Sequence, residues 1–192
     1  MFTGIIQTTG KIVEIKQNKG NIDLKITPEN KITLNEGDSI SVDGVCQTVT
    51  KTKGKDFHIT AMPETLDKTN FSAYKKNSAV NLEPALKLGD MVSGHFVSGH
   101  VDETGKVIKL SHENKESRLK IGFSRKIAKY LPLKGSITIN GVSLTIAKVN
   151  KNNLEVALIP YTLEETNLRN LKGGDKVNLE VDLIARYLEK LI

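Results

Sequence analysis

The stretch Ser93-Gly94-His95-Phe96-Val97-Ser98-Gly99-His100-Val101-Asp102 brings together two imidazoles and two hydroxyls among glycines near the middle of the chain. Such a set could bind a metal, activate a nucleophile or move protons near neutral pH. His95 and His100 are five apart, which on a strand sends them to opposite faces, so they cannot jointly grip one metal. Zinc also needs three or four ligands, and the chain has no HxxxH pair and no cysteine cluster. The serines lack a G-x-S-x-G elbow, and no G-x-G-x-x-G or G-x-x-x-x-G-K-[ST] loop is present to cradle a nucleotide. The lone cysteine, Cys46, follows a turn, a setting in which a small buried hydrophobe is commoner than a nucleophile.

The elements that must position these groups are written twice. A shift of 95 lays Thr3-Gly4-Ile5-Ile6-Gln7-Thr8-Thr9-Gly10-Lys11 on Ser98-Gly99-His100-Val101-Asp102-Glu103-Thr104-Gly105-Lys106. A shift of 97 lays Gly44-Val45-Cys46-Gln47-Thr48 on Gly141-Val142-Ser143-Leu144-Thr145, Pro63 to Asn70 on Pro160 to Asn167, and Val80-Asn81-Leu82-Glu83 on Val177-Asn178-Leu179-Glu180. A repeat of this kind governs the whole fold. The copies diverge in polarity at two telling places, Ile5 against His100 and Cys46 against Ser143, so the halves have acquired different roles or exposure.

Each copy reads as short strands broken by turns. Ile22 to Ile26 and Ile137 to Ile139 alternate apolar with polar, as half-buried strands do, and Asp43-Gly44 and Asn140-Gly141 suit tight hairpin turns. The pattern predicts an all-β protein of two similar small closed barrels, spanning 1–88 and 89–181. A terminal segment, 182–192, continues an apolar stripe of Val181, Ile184, Leu188 and Leu191, widened by Leu183, Tyr187 and Ile192, and predicts a helix that packs on its barrel or joins subunits. Ser124 to Leu131 predicts a second short helix, with Ser124 as N-cap and Pro132 beyond its end.

Composition narrows the class. With 38% hydrophobic and 26% charged residues the chain suits a soluble globular protein, and neither a membrane-length apolar run nor a signal peptide is evident. A single cysteine fits the cytoplasm and precludes an internal disulfide. The net charge of +6 comes mostly from scattered lysines, with four arginines and no Trp, which does not form the basic and aromatic stripe of a nucleic-acid binder.

Met1-Phe2-Thr3-Gly4-Ile5-Ile6, Gly44 to Val49, Glu64-Thr65-Leu66, Ser98 to Asp102, Gly141 to Thr145 and Val177 to Glu180 together resemble riboflavin synthase of the trimeric, duplicated-barrel type, over essentially the whole chain. The resemblance implies two six-stranded Greek-key barrels, homotrimerisation through the terminal helix, association with lumazine synthase, and no metal or organic cofactor. It implies dismutation of two molecules of 6,7-dimethyl-8-ribityllumazine, the last step of riboflavin biosynthesis. One gives four carbons to the other, leaving riboflavin and 5-amino-6-ribitylaminouracil. A non-catalytic lumazine- or flavin-binding antenna protein is the alternative.

By matching position the resemblance puts Phe2, Ser39, Cys46, Gln47 and Thr48 at the first-barrel pocket and His100, Lys134, Ser143, Leu144, Thr145 and Asp182 at the second. Walls are formed by Gly4, Ile5 and Ile6, by Thr60, Ala61, Met62, Pro63, Glu64 and Thr65, by Gly99, His100 and Val101, and by Leu158, Ile159, Pro160, Tyr161, Thr162 and Leu163. His100, Cys46, Ser143, Thr145, Ser39 and Asp182 are the expected chemical groups, with His100 or a water it orients assisting proton removal. Gln47 where leucine is usual, Glu103 where glycine is common, and Tyr161 in place of the acidic residue of a second P-E-T-L depart from the family pattern.

Overall fold

A computed structural model describes residues 1–113 and 116–191. The first copy contributes β1 (Thr8–Asn18), β2 (Asn21–Pro28), β3 (Ser39–Val42), β4 (Val45–Lys53), β5 (Asp56–Ala61) and β6 (Ala79–Pro84), which close into a barrel in the order β1-β2-β5-β4-β3-β6. The second contributes β7 (Glu103–Glu113), β8 (Glu116–Gly122), β9 (Ser136–Ile139), β10 (Val142–Val149), β11 (Asn153–Leu158) and β12 (Lys176–Val181), closed in the same cyclic order. All the ladders are antiparallel.

Period-two patterning explains the closure. Along β2, Ile22, Leu24 and Ile26 turn into the first barrel while Asp23 and Lys25 turn outward, and β11 repeats the pattern with Leu154, Val156 and Leu158 inward. Register breaks at Ile12/Glu14 and Val49/Lys51 recur at Val107/Lys109 and Ile146/Lys148. Bulges of this kind bend and twist the strands, as closing so small a barrel requires. The hairpin residues Asp43-Gly44 and Asn140-Gly141 all have positive φ, the backbone of tight type I′ turns.

Short helices α1 (Pro63–Lys68) and α2 (Pro160–Glu165) each start on proline, whose fixed φ and missing N–H suit a first helical turn. The chain then ends in α3 (Leu183–Leu191), which leaves Ile184, Tyr187, Leu188 and Leu191 exposed. Val181 belongs to β12 rather than to the helical stripe, and Ile192 lies outside the described residues. The helix expected over Ser124 to Leu131 is instead a run of turns with one 3-10 turn at Ala128–Tyr130. Ser124 is held to β7, because its N–H and hydroxyl both donate to Glu103, and Ile127 and Leu131 plug into the second core. No described helix is long and apolar enough to cross a membrane.

The barrels meet about an approximate two-fold relation. The turns at Gly44 and Gly141 touch so closely that a Cβ on either would lie 2.7 Å from the backbone nitrogen of the other. Around them the Asn70 and Asn167 N–H groups donate to Asn178 Oδ1 (2.8 Å) and Asn81 Oδ1 (2.7 Å), while the amides of Asn81 and Asn178 donate to the carbonyls of Asn140 and Asp43 (2.8 Å each). The symmetry fails at one pair. Asp43 and Tyr74, joined by a 2.7 Å hydrogen bond, stand where the second copy has Asn140 and Leu171.

Candidate functional site

Two outward-facing surfaces, one on each barrel, collect the candidate residues. On β4 the alternation turns Val45, Gln47 and Val49 inward and leaves Cys46 half-buried and Thr48 exposed on the outer face; on β10, Ser143 and Thr145 take the matching places. Ser39 of β3 pairs across from Thr48.

Each surface is completed by the other copy. The Gly99 carbonyl accepts from the Cys46 N–H at 2.8 Å, and a Cβ on Gly99 would lie 2.6 Å from Cys46 Cβ. Reciprocally, the Gly4 carbonyl accepts from the Ser143 N–H at 2.8 Å, with the same 2.6 Å closeness to Ser143 Cβ. Both glycines hold a positive φ, +78° and +76°, so only glycine permits this approach without strain. The crossing continues one turn further on, where Ile6 packs on the core of the second barrel and Val101 on that of the first.

The crossing relocates one group. His100 stands with Cys46, Met62, Pro63, Glu64 and Thr65 around a cavity of about 540 Å³ on the first barrel, not at the second-barrel pocket where matching by position places it. On the second barrel it is Gly4, the residue before Ile5, that lies against Ser143. Strand periodicity corrects four other residues. Gln47, Ala61, Leu144 and Leu158 point into the barrels, away from the outer face, so only their backbone could meet a ligand there. Phe2 is fully buried, its backbone bridging to Val97.

The remaining candidates are placed as follows. The Thr60 hydroxyl donates to Asp23 at 2.7 Å, Glu64 pairs with Lys68 at 2.6 Å, and Met62, Ile159 and Tyr161 are exposed. Thr65 and Thr162 offer carbonyls to the hydroxyls of Thr69 and Thr166, which fixes the two short helices alike, and Leu163 packs on the second core. Lys134 is exposed in a left-handed turn before β9. Asp182 caps α3 by accepting from the Ile184 N–H at 2.9 Å.

One side chain at the second-barrel surface escaped the sequence reading as a site residue. His95 Nδ1 lies 2.7 Å from Ser143 Oγ, and its Nε2 lies 3.2 Å from Thr138 Oγ1, so the ring bridges two hydroxyls across β9 and β10. Burial lowers its pKa below the ordinary histidine value, against the pull of nearby Asp182. A neutral ring with one donor and one acceptor nitrogen fixes the direction of the Ser143 hydroxyl. Among the described residues no group of three or more His, Cys, Asp and Glu side chains could hold a metal.

Two closed barrels with paired outer surfaces define a duplicated ligand-binding protein, and the lumazine binding domain model matches the chain twice, over residues 3–85 and 98–182. Full-length similarity is as strong. The riboflavin synthases of Photobacterium leiognathi and Actinobacillus pleuropneumoniae are 40% and 39% identical over 194 residues, spanning 100% of this chain and 89% and 90% of theirs. That of Bacillus subtilis (strain 168) is 38% identical over 193 residues. The chain belongs to the riboflavin synthase family. Among solved structures it resembles LumP complexed with riboflavin (TM-score 0.86, 23% identity, 94% of this chain and 99% of that one) and LumP complexed with 6,7-dimethyl-8-(1'-D-ribityl) lumazine (TM-score 0.83, 24% identity), a likeness of fold.

Proposed function

We infer that the chain catalyses the riboflavin synthase reaction, in which two molecules of 6,7-dimethyl-8-ribityllumazine dismutate by transfer of a four-carbon unit. The products are riboflavin and 5-amino-6-ribitylaminouracil. Together they contain the atoms of the two substrate molecules, so no oxidant or further reactant enters. The observation that carries this reading is the pair of outer surfaces, alike in backbone and different in chemistry: Cys46 with His100 on one, Ser143 with His95 and Gly4 on the other, and Thr48 and Thr145 at matching outer-face positions. A reaction between two identical molecules in unlike roles needs such a pair.

His100 handles the proton leaving the C7 methyl of the donor molecule, with Cys46 as its neighbour in relay. Ser143, aimed by His95, and Thr145 hydrogen-bond the molecule that accepts carbon, and Ser39, Thr48, Lys134 and Asp182 border the two surfaces. Thr48 and Thr145 are exposed, so a neighbouring chain must cover each surface and bring unlike surfaces face to face. Holding both reactants oriented in this way can supply effective molarities of about 10⁵ to 10⁸ M. A homotrimer joined through α3 is the assembly that meets this need as a closed ring of unlike contacts. The enzyme is placed in the cytoplasm, where a free Cys46 stays reduced, and association with lumazine synthase would deliver its substrate.

Purified protein is mixed with the lumazine and followed by absorbance. Riboflavin appearing at one molecule for every two lumazines consumed supports the reading. A spectral shift without riboflavin would leave only ligand binding, as in an antenna protein.

A further inference from the structure

Two buried carboxylates hold the crossing segments, each from within its own barrel. Glu180 of β12 is 2% exposed. Its Oε1 accepts from the Ser98 N–H (2.8 Å) and the Ser98 hydroxyl (2.6 Å), and its Oε2 from the Gly99 N–H (3.0 Å). Glu83 of β6 is 4% exposed and repeats the clamp: Oε1 accepts from the Thr3 N–H (2.7 Å) and hydroxyl (2.8 Å), Oε2 from the Gly4 N–H (3.0 Å). The clamped hydroxyls accept in turn from the next N–H but one, Ser98 from His100 (3.3 Å) and Thr3 from Ile5 (3.2 Å). Burial raises the pKa of both carboxyls and their hydrogen bonds resist the rise. Three donors on one buried carboxylate form a strong, directional set, and taking one away leaves a buried group unpaired.

The residues so held do not serve the barrel that holds them. Gly99, fixed by Glu180, lies against Cys46 on the first barrel, with His100 in the same cavity; Gly4, fixed by Glu83, lies against Ser143 on the second. We propose that Glu180 and Glu83 are positioning residues that act crosswise, each setting one wall of the site on the opposite barrel. Glu180 places Gly99 and His100 at Cys46, and Glu83 places Gly4, with the arm that carries Ile5, at Ser143. This deepens the functional reading above and rests on it for the identity of the ligand, while the crosswise geometry can be measured without turnover.

Cys46 is the one cysteine of the chain and so reports on its own site. In the full-length protein, Glu180→Gln and Glu83→Gln keep side-chain size but turn an amide N–H toward a backbone or hydroxyl donor. Alkylation of Cys46 by iodoacetamide, followed by intact mass, should be about tenfold faster in Glu180→Gln, the opening expected from losing one charge-assisted hydrogen bond. It should stay within about twofold of the parent in Glu83→Gln, where a carboxylate in an equivalent setting has been altered and only the other site loosened. Ser98→Ala, which deletes one of the three donors, should shift the rate in the same direction if the glutamate variant does not fold. Acceleration in both glutamine variants alike, in neither, or in Glu83→Gln alone overturns the proposal. If the parent protein fails to convert the lumazine but the crosswise alkylation pattern holds, the functional reading falls and the positioning role stands.

Discussion

At the scale of single residues, two imidazoles face different surfaces. His100 is exposed beside Cys46, open to a ligand, whereas His95 is half-buried and committed to Ser143 and Thr138. His100→Ala should slow exchange of the C7 methyl protons of bound lumazine with solvent deuterium by about 10²-fold, the lower range for a lost acid-base group, with ligand affinity little changed; proton NMR of the methyl signal reads it. Ser143→Ala should leave that exchange intact and lower riboflavin formation by about tenfold or more, as an interaction with the accepting molecule is lost. Divergence between the repeats made Cys46, Ser143 and His100 visible in the sequence. His95 lies ahead of the second copy's first matched residue, Ser98, and its counterpart would precede Met1, so no comparison could expose it. The period of two separates Gln47 from Cys46 and Thr48, yet a motif carried over as one block hides that alternation.

Among the elements, α3 is fastened on one side and bare on the other. Asp102 accepts from the Val181 N–H at 2.8 Å and pairs with Arg186 at 2.9 Å, Lys129 pairs with Glu189, and the apolar Ile184, Tyr187, Leu188 and Leu191 are left facing outward. Burying each of these side chains against a neighbour would contribute about 1.5–3 kcal/mol. On the trimer proposed above, Leu188→Glu should therefore give monomers in light scattering, leave the β-sheet circular dichroism unchanged, and abolish riboflavin formation. The helical stripe was legible from its three- and four-residue spacing, as were the hairpins from Asp43-Gly44 and Asn140-Gly141. The segment Ser124 to Leu131 was not: Ser124 does accept from the Lys126 N–H as a cap would, but Glu103, distant in sequence, ties it to β7, and Ile127 and Leu131 are drawn into the second core, so the run stays as turns.

For the whole molecule, the contact between barrels carries a titratable group. Burial pushes the Asp43 carboxyl up from its ordinary 3.8 to about 7, against hydrogen bonds from the Asn81 N–H, the Tyr74 hydroxyl and the Asn167 amide. The folded protein thus keeps a proton that the unfolded chain releases near the ordinary value, so this contribution to stability is full in acid and is lost as pH rises through about 7. Asp43→Asn, which copies Asn140 of the second barrel, should flatten the dependence of Tm on pH between about 4 and 8 and raise Tm most at the alkaline end. The two-barrel plan could be read from the duplicated blocks, since order and spacing survive in both copies. The exchange of Gly4 and Gly99 between barrels could not, because neither composition nor alternation says which partner a leading segment leans on.

That exchange bears on how such a chain could arise. A polypeptide with a single barrel would have to lend its leading arm to a second copy and borrow one in return, so its cavity would exist only where enough copies met. Fusing two copies makes the loan intramolecular, with an effective concentration in the millimolar range for a short tether. Once the arms were guaranteed a host, an isoleucine in one and a histidine in the other could be chosen independently, a freedom that identical partners never have.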